Sequence, residues 1–183
     1  LIAVEGLDRS GKTTQCSHLF RSLTTLSTKT SLPSPQLLKF PDRTTTTGQL
    51  INTYLTSSLP LADESIHLLF SSNRWEARAQ ILSLLESGVT VILDRYVYSG
   101  IAFSAAKGLD YGWCRSPDVG LPKPDLVVFL DVEEEVQKER GGWGEERYET
   151  IEMQRRVREV FRRLREEEGG WWVVDAGKGE EEV

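Results

Sequence analysis

The chain has 183 residues, 39% hydrophobic and 27% charged, with a formal net charge of −6, a composition ordinary for one globular domain large enough to bury a core. The acidic balance argues against broad binding to nucleic acid or an anionic membrane surface, while leaving room for a small basic site, and no apolar run reaches the roughly 20 residues of a membrane-spanning helix. The only two cysteines, Cys16 and Cys114, lie far apart without C-x-x-C spacing, which points to a reducing, cytoplasmic setting (a nuclear pool included) and to no zinc site.

Leu1–Glu5 is a short apolar run ending on a charge, the pattern of a buried strand. Gly6-Leu7-Asp8-Arg9-Ser10-Gly11-Lys12-Thr13 follows, matching G-x-x-x-x-G-K-[ST], the phosphate-cradling P-loop. Each fixed position has a physical task. Gly6 and Gly11 permit a tight turn close to an anion, Lys12 carries a point charge to the terminal phosphates, and the Thr13 hydroxyl is placed for Mg²⁺. Cys16, Leu19, Phe20, Leu23 and Leu26 then recur at helical spacing, so Cys16 reads as a small core residue. Strand, loop and helix therefore arrive in the order that phosphate binding requires.

Ser27–Pro35 reads as a surface loop, Leu37–Phe40 as a second strand, and Thr44–Thr47 as a loop or helix cap. One helix is predicted from about Asp63 to Glu86, burying Ile66, Leu69, Phe70, Ala77, Ile81, Leu84 and Leu85 and stopping at Gly88. Thr90–Asp94, Leu126–Asp131 and Trp172–Asp175 are further strands, and Thr150–Glu168 is a helix with Val157, Val160, Phe161 and Leu164 on one stripe. The strands are apolar throughout, which suits burial on both faces of a parallel sheet. Their alternation with helices predicts an α/β fold of the P-loop NTPase type, a five-stranded parallel sheet flanked by helices on both faces. Glu5, Asp42-Arg43, Asp94-Arg95, Asp131 and Asp175 stand at strand ends, as the rim of a catalytic site would. Gly141-Gly142-Trp143-Gly144 reads as a mobile loop, Glu133–Glu135 and Glu166–Glu168 as solvated faces, and the arginines of 155–165 as an ion-paired helix surface rather than a nucleic-acid patch.

The P-loop implies a nucleoside triphosphate with Mg²⁺. A GTPase would carry Asn-Lys-x-Asp, but neither Asn52 nor Asn73 precedes a lysine. A kinase for a phosphorylated acceptor needs cations at a second phosphate. Arg43, Arg74 and Arg95 are candidates, because arginine grips phosphate bidentately; each alone could equally be a surface ion pair.

The segments around these arginines carry a resemblance that runs nearly the whole chain. Residues 5–15, Phe40-Pro41-Asp42-Arg43, the helix segment 67–76 (HLLFSSNRWE), Asp94-Arg95-Tyr96-Val97-Tyr98-Ser99-Gly100, residues 117–125 and Glu146-Arg147-Tyr148-Glu149 are similar to the thymidylate kinase family. That resemblance implies one nucleoside monophosphate kinase domain over 1–183, with a P-loop at 6–13 and a lid at about 141–148. It implies ATP and dTMP as substrates, Mg²⁺ held through Thr13 and Asp94, and a homodimer formed through helix faces. Gly6, Asp8, Arg9, Ser10, Gly11, Lys12, Thr13, Thr14 and Lys178 fall on the ATP side. Phe70 is expected to stack on thymine, Arg74 to reach the base carbonyl, Arg43 and Arg95 to grip the acceptor phosphate, and Asp8 to meet the sugar 3′-hydroxyl. Phe40, Pro41, Ser99, Gly100 and Phe103 are expected to shape the acceptor pocket, Gln154 to lie near the base, and Tyr148 to stand where a 2′-hydroxyl would fall. The Phe40–Pro41 bond is expected to be cis. Arg9, Lys12, Asp94 and Arg95 form the catalytic set, with Arg9 aimed at the transferred phosphoryl group in place of a lid arginine. The chain reads as trimmed, starting within a strand without Met and stopping at Val183 where the family continues into a last helix. Kinases for UMP/CMP or a deoxynucleoside, and a non-catalytic nucleotide-binding module, are the alternatives.

Overall fold

The computed structural model describes residues 1–56, 59–140, 144, 146–180 and 182–183. Strand β1 (Ile2–Gly6) runs through the loop at 7–11 into helix α1 (Lys12–Thr30), and β2 (Gln36–Lys39) follows. Helices α2 (Thr46–Leu55), α3 (Asp63–Glu76) and α4 (Arg78–Glu86) precede β3 (Val91–Asp94). Then come α5 (Val97–Ala105), α6 (Tyr111–Arg115), a 3₁₀ turn at Ser116–Asp118, β4 (Leu126–Asp131), α7 (Glu134–Glu139), α8 (Ile151–Glu168) and β5 (Trp172–Asp175). The five strands make one sheet in the order β2-β3-β1-β4-β5, parallel at each pairing. The chain leaves β1 toward one edge, returns to β3 and crosses to β4. The carboxyl end of β1 is thus a topological switch point, where such sheets gather ligands.

All five predicted strands form, with ends displaced by at most about one residue. The central ones are buried as their unbroken apolar pattern requires: β3 wholly, and β1 in all but Ile2. The edge strands depart from that expectation. Trp172 and Val173 are 67% and 47% exposed, because β5 has a neighbour on one side only. On one face of the sheet Leu7, Ile101, Phe129, Val157 and Phe161 form a core with α5 and α8. On the other, Val4, Cys16, Ile92 and Leu130 pack with Leu19, Phe20 and Leu23 of α1. Cys16 and Cys114 are both buried free thiols.

Three helix expectations need correction. Helix α1 continues through Thr30, so Ser27–Thr30 are not loop. Their hydroxyls donate to carbonyls three or four residues back (Ser27 to Leu23, Thr28 to Thr25, Thr30 to Leu26), so the side chains find partners within the helix instead of turning the backbone out of it. The chain reverses only at Ser31, at φ 57°. Leu26, placed on the apolar stripe, is 48% exposed, because this far end of α1 extends beyond the core. The helix read as continuous over 63–86 breaks at Ala77, whose N–H turns back to the Arg74 carbonyl. On α3 the buried face is largely polar (His67, Ser71, Asn73, Arg74), which apolar periodicity could not reveal. Helix α8 starts where predicted, with Thr150 as its cap. Its arginines pair with acids as expected, Arg155 with Glu134 and Arg158 with Asp131. Glu168 is less solvated than the charge run suggested, since Arg115 and Lys123 close over it. The loop predicted at Gly141-Gly142-Trp143 lies outside the described residues.

Helix α2 crosses the 42–43 backbone so closely that a Cβ on Gly48 would lie 1.7 Å from the Asp42 carbonyl oxygen. Gly48→Ala is therefore expected to lower unfolding stability by about 3 kcal/mol through overpacking, measurable by denaturant titration. A loss within error of zero would mean that α2 moves freely.

Candidate active site

The loop between β1 and α1 wraps on itself as a phosphate cradle does. Gly6 sits at φ 152°, where a Cβ would come within 2.6 Å of the Leu130 carbonyl, and Gly11 at φ 88°. Gly11, at the N-cap of α1, has no side chain to bond the first-turn amides, a geometry suited to holding an anion there. Lys12 is buried, its Nζ donating to the Leu7 carbonyl and, at 3.2 Å, to Ser10 Oγ. Burial, followed by the charge of Arg95, lowers its pKa to about 7.

Arg9 and Arg95 have φ of 59° and 68°, the left-handed region that ordinary residues avoid. Such strain concentrates at functional sites. In each case the side chain is also tied down. Arg95 Nη1 donates to the Gly6 carbonyl and to Ser99 Oγ, both at 3.1 Å, Nη2 is bonded to Asp8, and the guanidinium lies 5.3 Å above the Phe103 ring. Arg9 Nε reaches Glu149 Oε1 at 2.7 Å. Arg43 bridges Asn52 (2.7 Å) and Glu146 (2.6 Å). Thr13 Oγ1 donates to Asp94 Oδ2 at 2.6 Å, at the end of the neighbouring strand.

These groups surround one cavity of about 370 Å³ running from Lys12 and Thr13, past Arg43 and Arg95, to Phe70, Gly100 and Phe103. Asp8, Arg9, Gly11, Thr14, Phe40, Pro41, Arg74, Asp94, Ser99 and Tyr148 line it too, and the Phe40–Pro41 bond is cis. A second cavity lies behind the P-loop, bounded by Ser10, Thr14, Arg140 and Lys178. Of the residues assigned above to the catalytic, ATP and acceptor sites, two line neither cavity. Gly6 lies beneath the loop. Gln154 is buried under Asp8, donating to its carboxylate at 2.7 Å and accepting from its N–H at 3.0 Å, so it supports Asp8 rather than facing the cavity.

Several supporting groups were not legible in sequence. Glu5 stands at a strand end but is wholly buried rather than on the rim. Its carboxylate accepts from Tyr96 N (2.9 Å), Ser99 N (3.2 Å) and Ser99 Oγ (2.5 Å), pinning the start of α5 to β1. Burial pushes its pKa up, opposed by the Ser99 hydrogen bond and the Arg95 charge. Asn73 holds the loop that carries Arg43, accepting from Asp42 N (2.7 Å) and donating to Asp42 O, Thr45 Oγ1 and Thr47 Oγ1. Arg74 is locked to Asp118 through Nε (3.1 Å) and Nη2 (2.6 Å), and Ser71 supports the same carboxylate. Arg140 donates to the Arg9 carbonyl at 2.8 Å, tying the P-loop to the chain just before the predicted lid.

A parallel sheet in this order, with a cradle after β1 and arginines converging on it, defines a P-loop NTPase fold. The family profile described as Thymidylate kinase matches residues 4–183. Thymidylate kinase of Schizosaccharomyces pombe is 54% identical, the match covering all of this chain and 87% of that protein. Thymidylate kinase of Homo sapiens is 43% identical over all of this chain and 85% of its own. A solved structure of thymidylate kinase from Candida albicans superposes with a TM-score of 0.85 at 45% identity, covering 98% of this chain and 85% of that one. The chain belongs to the thymidylate kinase family.

The Arg74–Asp118 pair is almost fully buried, its side chains 3% and 4% exposed. Asp118→Ala strands a buried guanidinium and is expected to cost about 3–5 kcal/mol in unfolding stability, whereas the apolar double replacement Arg74→Met/Asp118→Leu recovers most of it. Additive losses in chemical denaturation would contradict a coupled pair.

Proposed function

We propose that the chain transfers the γ-phosphoryl group of ATP to dTMP, giving dTDP and ADP, by direct in-line displacement. The observation that carries this reading is a single cavity joining a phosphate cradle to an aromatic pocket, with arginines at the junction, in a member of this family. Two polyanions must meet there, and their repulsion is the first obstacle to reaction. Lys12 and the P-loop amides hold the donor phosphates, while Arg43 and Arg95 hold the acceptor phosphate. Phe70 stacks on the base, Arg74 reads it beside Ser99 and Gly100, and Asp8, backed by Gln154, accepts from the 3′-hydroxyl. Tyr148 closes the sugar pocket; its hydroxyl is already engaged with that of Tyr54 at 3.2 Å, and the pocket disfavours an added 2′-hydroxyl.

Arg9 serves the transferred group. Charge accumulates on its equatorial oxygens in the transition state, and a guanidinium there strengthens its hold as the reaction proceeds. The donor set at Thr13 and Asp94 suits Mg²⁺, since both offer hard oxygens beside the phosphate cradle. When bound there, Mg²⁺ neutralises charge on the donor phosphates. Lys178 and the second cavity receive the nucleoside end of ATP, and the segment at about 141–148 acts as the lid. Exposed Leu50 and Leu68 on adjoining helices α2 and α3 support a homodimer through these faces. No helix among the described residues is long and apolar enough to cross a membrane, and the buried free thiols support residence in the reducing cytoplasm, with or without a nuclear pool.

An acceptor panel with Mg·ATP tests the assignment: dTMP is expected to be preferred over CMP, UMP, AMP and thymidine, and preference for CMP or AMP rejects it. Arg9→Ala is expected to lower kcat by about 10³-fold or more, with the KM for dTMP nearly unchanged. Equal loss in both parameters would remove the transition-state role.

A further inference from the structure

Strand β2 ends on Lys39, which is paired in register with Asp94 of β3. This places the lysine beside the two groups assigned above to Mg²⁺. Its Nζ donates to Thr13 Oγ1 at 3.0 Å and lies 3.6 Å from Asp94 Oδ2. The Thr13 hydroxyl, accepting from Lys39, spends its proton on Asp94 at 2.6 Å. Asp94 is 3% exposed at its side chain and Lys39 is 56% exposed. A buried carboxylate is thereby covered by a cation on a flexible, solvent-facing stem.

We infer that Lys39 is an exchange cation for the metal site. With no metal bound, its ammonium neutralises Asp94 and orients the Thr13 hydroxyl, keeping the site assembled. A divalent ion held by Thr13 and Asp94 would lie within a few ångströms of the ammonium, which contacts both groups, and charge repulsion at that range sets the two cations against each other. Arrival of the metal–nucleotide pair swings Lys39 off Thr13. The four-carbon stem of lysine and its compact charge suit this displacement, which the rigid fork of an arginine would resist. Lys39 is a positioning residue in this scheme: it sets how tightly the metal is held. The inference rests on the assignment of Thr13 and Asp94 as the metal site.

Direct Mn²⁺ titration of the protein–ADP complex, following free Mn²⁺ by electron paramagnetic resonance, reads the exchange without turnover. Lys39→Met is expected to tighten Mn²⁺ binding by about tenfold, because a positive charge a few ångströms away is removed. Lys39→Arg keeps a cation there in a form harder to displace and is expected to bind Mn²⁺ more weakly than the parent. Asp94→Asn is run alongside. If Asp94→Asn weakens Mn²⁺ binding while Lys39→Met leaves it unchanged or weaker, the exchange role fails and the metal assignment stands. If Asp94→Asn leaves Mn²⁺ binding unchanged, the metal assignment fails and the inference falls with it.

Discussion

The geometry of this site depends on a carboxylate that touches no solvent. Glu5 ends the central strand, and its two oxygens collect the N–H groups of Tyr96 and Ser99 and the Ser99 hydroxyl. Unpaired, a buried charge of this kind would be strongly destabilising. Here it meets the uncapped amino end of α5, where N–H groups lack partners and the helix dipole favours a negative charge. The bond fixes α5 against β1, and with it Arg95, whose guanidinium reaches back to Gly6 and to the same Ser99. The phosphate cradle and the aromatic end of the cavity at Phe70 and Phe103 are thus held at one separation by a few strong hydrogen bonds at a switch point of the sheet.

A second constraint is charge balance. Cations gathered around one cavity repel one another unless each has an anionic partner. The structure pairs them internally: Arg95 with Asp8, Arg43 with Glu146, Arg9 with Glu149, and Lys39 with Asp94. Glu146 comes from the segment that the family resemblance assigns to the lid, and Glu149 directly follows that segment. Their carboxylates offer the arginines paired anionic oxygens, the feature that a guanidinium also grips in a phosphate. The cations are therefore oriented before substrate arrives, and less of the ordering falls to the binding step.

How far all this could be read in advance varied with the kind of signal. Strands were legible to within a residue, since unbroken apolar runs between helices have few other uses. The P-loop and the arginines at 43, 74 and 95 were legible because their chemistry requires particular residue types at particular spacings. The length of α1 was not: Ser27, Thr28 and Thr30 carry side chains common in loops, but here they bond to carbonyls of the preceding turn and the helix continues. Nor was the polar face of α3, where Asn73 and Arg74 are buried against partners 26–44 residues away in sequence, at Asp42, Thr45, Thr47 and Asp118. Gln154 matched a motif position, but whether its amide faces the cavity or supports Asp8 depends on the packing of α8 against the P-loop.

The division follows range. Periodicity, glycine spacing and charged strand ends act over a few residues, so the order of elements, the cradle and the identity of the cationic groups are written in the linear chain. Which carboxylate each cation holds, which polar side chains are buried, and whether Gln154 faces the cavity are set by contacts across tens to more than a hundred positions. Those contacts exist only once the sheet has closed around β1, so no local pattern encodes them.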